Sequence, residues 1–292
     1  MSAPPTVWAL SDLHVGFDVN RRAVEALAAR PDDWLIVAGD TGDTLAQLEL
    51  VLDVVTARFA RVFWTPGNHD LWTPRQWPDP RRGEGHYRRL VEACRARGVL
   101  TPEDPFVVWP GPTPVAIAPC FTLYDYSFAP PGLDADAAVA WAAETGVQCA
   151  DEVLLSPAPY ASRAAWCAER VTYTAARLDA VPAGTRLALV THWPLRADLA
   201  VLPRIPRFTI WCGTRRTEGW HTRYPVDVVI SGHLHMRSTR WRDGVRFEEV
   251  SLGYPAQWQQ AKGADAYLRQ ILPAPTTGPQ GWGDDRTVLR HP

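Results

Sequence analysis

The run TVWALSDLHVGFDVNRRAVEALAARPDDWLIVAGD, residues 6–40, decides the fold. Two apolar stretches, TVWAL and WLIVAGD, bracket a helical stretch, NRRAVEALAAR at 20–30, and each runs into a short polar cluster. The pattern repeats at once with TLAQLELVLDVVTARFA at 44–60 and RVFWTPGNHD at 61–70. In the second helical stretch Leu45, Leu48, Leu52, Val55 and Phe59 recur at spacings of three and four, the apolar stripe of an amphipathic helix. Strands alternating with helices predict an α/β fold with a parallel sheet covered on both faces.

Outward from this opening the pattern is less regular. Residues 73–86 are rich in Pro, Arg and Gly and read as a surface loop, and HYRRLVEACRARG at 86–98 reads as a helix closed by Gly98. FVVW and VAIAP are short strand candidates. The stretch 120–182 has helical composition and many aromatics, which suits a cap or side layer. Strand signals return in RLALVTH, DVVISGHLH and RSTRWRDGVRFEEVSL, where Asp243-Gly244 marks a hairpin turn, and then fade. The expected organisation is one domain over 1–272, with a helical, aromatic-rich cap at about 120–182, and a Pro/Gly-rich tail at 273–292.

Composition narrows the function classes. The chain has 292 residues, 30 basic against 32 acidic, and 46% apolar residues, ample for a core that excludes disorder and collagen. A net charge of −2 without like-charge blocks argues against non-specific binding to nucleic acid or anionic lipid. No apolar run approaches the roughly 18 to 20 residues of a membrane span, and MSAPPTVWALSDLH lacks signal-peptide features, so a cytoplasmic location is expected. Cys94, Cys120, Cys149, Cys167 and Cys212 are never spaced C-x-x-C and read as reduced thiols.

The chemistry lies at the strand ends. Asp12 and His14 in SDLH, Asp40 in AGD, Asn68, His69 and Asp70 in GNHD, His192 in VTHW, and His233 and His235 in SGHLH each follow an apolar run. In open α/β sheets ligands bind beyond the carboxyl ends of strands, so these clusters are expected to gather on one edge. Asp12 with His14, and His233 with His235, would share a side of extended chain. Glycines before Asp40, Asn68 and His233 would let the backbone turn sharply. Nitrogen and oxygen donors without thiolate suit Mn, Fe or Zn rather than a closed structural zinc site.

In order and spacing, DLH, GD, GNHD, a lone His after an apolar strand, and GHLH resemble the calcineurin-like metallophosphoesterase superfamily, from residue 7 to about 253. The resemblance implies a four-layer α/β/β/α sandwich with two central mixed sheets. It implies two divalent transition-metal ions, the first held by Asp12, His14, Asp40 and His235, the second by Asp40, Asn68, His192 and His233, with Asp40 bridging. His69 would contact the leaving-group or a phosphoryl oxygen, and Asp70 would orient it. A metal-bridging hydroxide would attack phosphorus in line, with His69 donating the leaving-group proton.

The leading expectation is a dinuclear-metal phosphomonoesterase acting on a small phosphorylated metabolite. The motifs equally allow a phosphodiesterase on cyclic nucleotides or other diesters. A metal-binding interaction scaffold without turnover has the complete ligand set against it. For substrate binding, RIPRFTIWCGTRRTEGWHTR offers Arg204, Arg207, Arg215, Arg216 and His221.

Overall fold

The computed structural model describes residues 3–74, 76, 79–275 and 287–290. Its first third follows the expected alternation: β1 (Val7–Leu10), α1 (Asp18–Glu25), β2 (Arg30–Val37), α2 (Leu45–Thr56) and β3 (Phe59–Trp64). The Thr44 hydroxyl caps α2, accepting from the Gln47 N–H at 3.2 Å. Because α2 ends at Thr56, Phe59 is not the last residue of a helical stripe but the first of β3. It still buries with Leu48, Leu52 and Val55, since β3 packs directly under α2.

Then come α3 (Gly83–Arg95), β4 (Val107–Trp109) and β5 (Val115–Pro119). The loop expected over 73–86 thus yields its last residues to α3, and residues 75, 77 and 78 lie outside the described residues. The aromatic-rich stretch carries α4 (Ala135–Ala143), α5 (Asp151–Leu154) and α6 (Arg163–Asp179). After it run β6 (Arg186–Val190), α7 (Trp220–Arg223), β7 (Val226–Ser231), β8 (Ser238–Arg242), β9 (Val245–Glu249), β10 (Arg269–Leu272) and β11 (Thr287–Leu289). The β8–β9 turn is Asp243-Gly244, both at positive φ, 52° and 75°.

β10 and β11 had no clear sequence signal. β10 pairs antiparallel with the edge of β1, and β11 with β8. β11 comes from the stretch expected to be a tail, of which 276–286 and 291–292 lie outside the described residues.

Two mixed sheets result, one in the order β10-β1-β2-β3, the other β11-β8-β9-β7-β6-β5-β4. Strand pleating divides the apolar residues between their two faces. Val7, Ala9, Ile36 and Phe63 of the smaller sheet meet Ile117, Ala188, Val190, Val228 and Ile230 of the larger in the central core. The outer face of the smaller sheet (Leu10, Leu35, Val37, Val62, Trp64) packs on Val24 of α1, Leu48 and Leu52 of α2 and Leu90 of α3. The outer face of the larger (Ala116, Leu187, Leu189, Val229, Phe247) packs on Leu178 of α6 and Trp220 of α7. This is the four-layer α/β/β/α sandwich.

One charged cluster interrupts the space between the sheets. Glu248 of β9 is fully buried, 2.7 Å from the Arg269 guanidinium on β10 and 3.5 Å from those of Arg246 and Arg290. The Thr239 hydroxyl donates to it at 2.7 Å. An ion pair in this position ties one sheet to the other.

Candidate metal centre

The strand-end clusters do converge on one edge. Asp12 and His14 follow β1, Asp40 follows β2, Asn68 and His69 follow β3, His192 follows β6, and His233 and His235 follow β7. They do not reach it as extended chain. Asp12, His14, Asp40, His233 and His235 all have left-handed backbone, with φ of 53°, 44°, 53°, 71° and 52°. Such angles are uncommon outside glycine and persist only where surrounding structure enforces them, usually at functional sites. The D-x-H and H-x-H pairs therefore present their side chains from left-handed turns, not from the strand pleat.

The preceding glycines have two different tasks. Gly39 sits at φ 89°, the sharp turn expected of it. Gly67 is required for space, since a Cβ there would come within 2.1 Å of Asp40 Oδ1 and 2.5 Å of Asp40 N.

Three groups of side chains, Asp12–His14–His235, Asp40–His192–His233 and His14–Asp40–His69, each offer ligand atoms within 4.8 Å of one another. His235 Nε2 lies 3.0 Å from Asp12 Oδ1 and 3.2 Å from His14 Nε2. Asp40 Oδ2 stands between the groups, 3.9 Å from His14 Nε2 and 3.5 Å from His192 Nε2. Asn68 Oδ1 is 3.1 Å from His233 Nδ1.

Hydrogen bonds behind the rings fix which nitrogen faces the site. His192 Nδ1 donates to the Ala38 carbonyl at 2.8 Å, and His235 Nδ1 to Gln257 Oε1 at 2.7 Å, so each Nε2 is turned toward a carboxylate. The Nε2 atoms of His192 and His233 are buried and make no hydrogen bond. Buried imidazole nitrogens left unbonded beside buried carboxylates are an arrangement that a divalent cation completes. The same carboxylates and burial set the charge of the rings. Burial pushes His192 down, but Asp40 overrides it and holds the ring at about 10. His235, likewise opposed by burial, is raised by Asp12. Burial keeps His14 at about 4 and His233 at about 3, neutral as ligands must be. Cation uptake at this site would displace the proton that Asp40 favours on His192.

His69 is held on two sides. Its backbone N–H donates to Asp40 Oδ1 at 2.9 Å, its Nδ1 lies 2.8 Å from Asp43 Oδ1, and its ring packs on Trp72 with centroids 3.7 Å apart. Burial works against its charge, but Asp40 and Asp43 hold it at about 9. The carboxylate that orients His69 is thus Asp43, not Asp70 as the motif suggested. Asp70 turns the other way and accepts from the N–H groups of Asp40 at 2.8 Å, Gly67 at 2.9 Å and Thr41 at 3.1 Å, and from the Thr41 hydroxyl. It pins together the turns after β2 and β3.

Other supporting residues escaped the sequence reading. Asp151 Oδ1, buried at the start of α5, accepts from Asn68 Nδ2 at 3.0 Å and Trp72 Nε1 at 2.7 Å, leaving Asn68 Oδ1 free to face His233. The hydroxyls of Ser11 and Ser251 donate to Asp12 Oδ2 at 2.5 and 2.7 Å. Tyr254 stacks on His14 with centroids 4.5 Å apart, and its hydroxyl lies 3.4 Å from His69 Nε2.

The arginine-rich segment divides. Arg207 pairs with Glu144 at 2.7 Å and lies over Trp141, Arg215 donates to the Ser127 carbonyl at 2.7 Å, and Arg216 reaches Asp125 at 3.4 Å. His221 contacts Asp243 at 2.7 Å. None of these four lines the cavities at the metal site. Arg204 is exposed between Leu202 and Ile205, which do line one, and it has no hydrogen bond or ion pair among the described residues.

Two cavities meet at the site. One, of about 440 Å³, is lined by His14, Gly16, Phe17, Asp43, Gln47 and Trp72. The other, of about 250 Å³, runs from Asp40, Asn68, His233 and His235 to an apolar wall of Leu202, Ile205, Phe208 and Leu234. His69 and Tyr254 line both.

A family model described as calcineurin-like phosphoesterase matches residues 5–237. The chain is 47% identical over 282 residues to "[Acyl-carrier-protein] phosphodiesterase PptH" of Mycobacterium tuberculosis, a match covering 96% of this chain and 87% of that protein. The crystal structure of phosphopantetheinyl hydrolase (PptH) from the same organism superposes with a TM-score of 0.89 at 47% identity, covering 96% of this chain and all of that one.

Proposed function

Because the chain belongs to the calcineurin-like phosphoesterase family, we propose that it is a metal-dependent phosphodiesterase that releases a phosphopantetheinyl group from a carrier protein. As a family member it is a hydrolase of phosphoric esters. The observation that carries the diester reading is the 47% identity to a protein named as a phosphodiesterase, spread over 96% of the chain. That likeness moves the balance away from the small-metabolite monoester expected first. The paired cavities support it too, since a diester needs room on both sides of phosphorus and a monoester on only one.

In this reading Asp12, His14, Asp40 and His235 hold one divalent ion and Asp40, Asn68, His192 and His233 a second. Bound there, the ions would supply positive charge to the phosphoryl oxygens and acidify water for attack on phosphorus. Asp151 keeps Asn68 turned inward, and Gln257 keeps His235 turned inward. His69, held by Asp43, donates a proton or strong hydrogen bond to the departing oxygen from Nε2, the nitrogen left facing the cavities. Burial raises the Tyr254 phenol pKa, so at neutral pH it remains a neutral hydroxyl 3.4 Å from that nitrogen.

The test compares kcat/KM for bis-p-nitrophenyl phosphate and p-nitrophenyl phosphate on the same metal-loaded protein. The diester is expected to be favoured by at least about tenfold. Preference for the monoester would overturn the reading. In the same assay, His69→Ala should slow diesters with alkyl leaving groups about 10²-fold or more and p-nitrophenyl esters much less, because a good leaving group needs no proton. Equal losses for both would remove His69 from the acid role.

A further inference from the structure

The two cavities differ in chemistry, and the difference assigns the two ends of the substrate. The smaller departs from the metal-facing residues along Leu202, Ile205, Phe208 and Leu234, a wall without a carboxylate. The larger contains Asp43, the carboxylate that holds the shared His69, and opens past Gly16 and the exposed Phe17. Tyr254 stands between them, stacked on His14.

We infer that the Leu202–Ile205–Phe208–Leu234 cavity holds the pantetheine arm and that the protein hydroxyl leaves through the Phe17–Gln47 side, an assignment that rests on the phosphodiesterase reading above. The chemistry of the two cavity walls carries it. A pantetheine arm is an uncharged chain carrying a branched dimethyl group and methylene pairs, which gains by contact with aliphatic and aromatic walls and would lose beside a carboxylate. The opposite cavity is the larger and carries the Asp43 carboxylate, which suits the polar protein end, and His69, which lines both cavities, can meet a departing oxygen there. Hydrolysis then breaks the bond between phosphorus and the oxygen of the carrier protein. Water adds its oxygen to phosphorus, the proton ends on the protein hydroxyl, and free phosphopantetheine is the second product. Leu202 and Ile205 are specificity-determining residues for the arm. Both belong to an irregular connection; Ile205 is 43% exposed, so polar substitution there leaves the buried core intact, whereas half-buried Leu202 also packs on the Phe128–Leu234 cluster, and Ile205→Asp is the cleaner variant.

The experiment uses two diesters with one leaving group, the p-nitrophenyl ester of phosphopantetheine and methyl p-nitrophenyl phosphate, whose methyl group is too short to reach the wall. In the unaltered protein the pantetheine ester should have the higher kcat/KM. Equal values would overturn the pantetheine reading itself, before any variant is made. Leu202→Asp and Ile205→Asp should each lower the ratio of the two constants at least about tenfold, chiefly through KM of the pantetheine ester. Phe17→Ser, on the other side, should shift both substrates together. A ratio unchanged in the Leu202 and Ile205 variants overturns the assignment, and a ratio that falls in Phe17→Ser instead places the arm in the other cavity.

Discussion

Replacing Asp40 by alanine is expected to lower phosphodiester turnover by about 10³-fold or more and to leave less than one metal ion per chain. Asp40 Oδ2 stands between His14 and His192, so a single deletion removes a ligand from both proposed ion sites at once. Lewis-acid stabilisation of a phosphoryl group amounts to several kcal/mol, and a factor of about 10³ corresponds to roughly 4 kcal/mol of that. The fold should survive, because the backbone N–H of Asp40 remains bonded to Asp70 at 2.8 Å and carries the turn without the side chain. Asp40→Asn, which keeps the shape and removes the charge, should lose nearly as much. Metal analysis, circular dichroism and turnover on one preparation check this together. Retained turnover with two ions bound would remove Asp40 from the centre.

The second large effect is on stability. Glu248→Ala is expected to destabilise the fold by about 3–5 kcal/mol, because three arginines in the space between the sheets would lose their shared carboxylate. Burial, helped by the neighbouring Arg269, lowers the pKa of Arg246 and brings Arg290 down to about 10, with Glu248 opposing both. In a chain of this length the loss should lower Tm by on the order of 10 °C in a thermal melt. Glu248→Met combined with Arg269→Met should recover part of it, since apolar groups of similar volume tolerate burial better than an orphaned charge. An unchanged Tm in Glu248→Ala would show that the cluster is already solvated.

How far these features were legible in the sequence depends on how locally each is encoded. The opening β-α-β-α-β was readable because apolar period and strand-end polarity are short-range patterns, and the five strand-end clusters named every proposed ligand. The conformation that delivers them was not readable. Left-handed backbone at five non-glycine residues is imposed by the packing of turns against one another, with Asp70 bonding the turns after β2 and β3, and single-residue preferences oppose it. Asp43 lies three residues after Asp40 in GDTGD, and Ser251 and Tyr254 follow β9 as other site residues follow their strands, so a wider reading of strand ends reaches them. Asp151 is different, because α5 brings it to Asn68 from 83 positions away and no motif marks it. β10 was missed for a related reason: as a four-residue edge strand beside β1 it has little period to show. Arginine count misled, because Arg207, Arg215 and Arg216 serve α4 and the neighbouring loops, not the site.

The most direct test of the central claim is the intact mass of a carrier protein bearing phosphopantetheine, followed during incubation with the metal-loaded enzyme. The expected result is a mass decrease equal to the whole phosphopantetheinyl group, with free phosphopantetheine in solution and no such change under chelation. A carrier protein whose mass stays constant while a simple phosphate monoester is consumed, or one that loses pantetheine and keeps the phosphate, would contradict it.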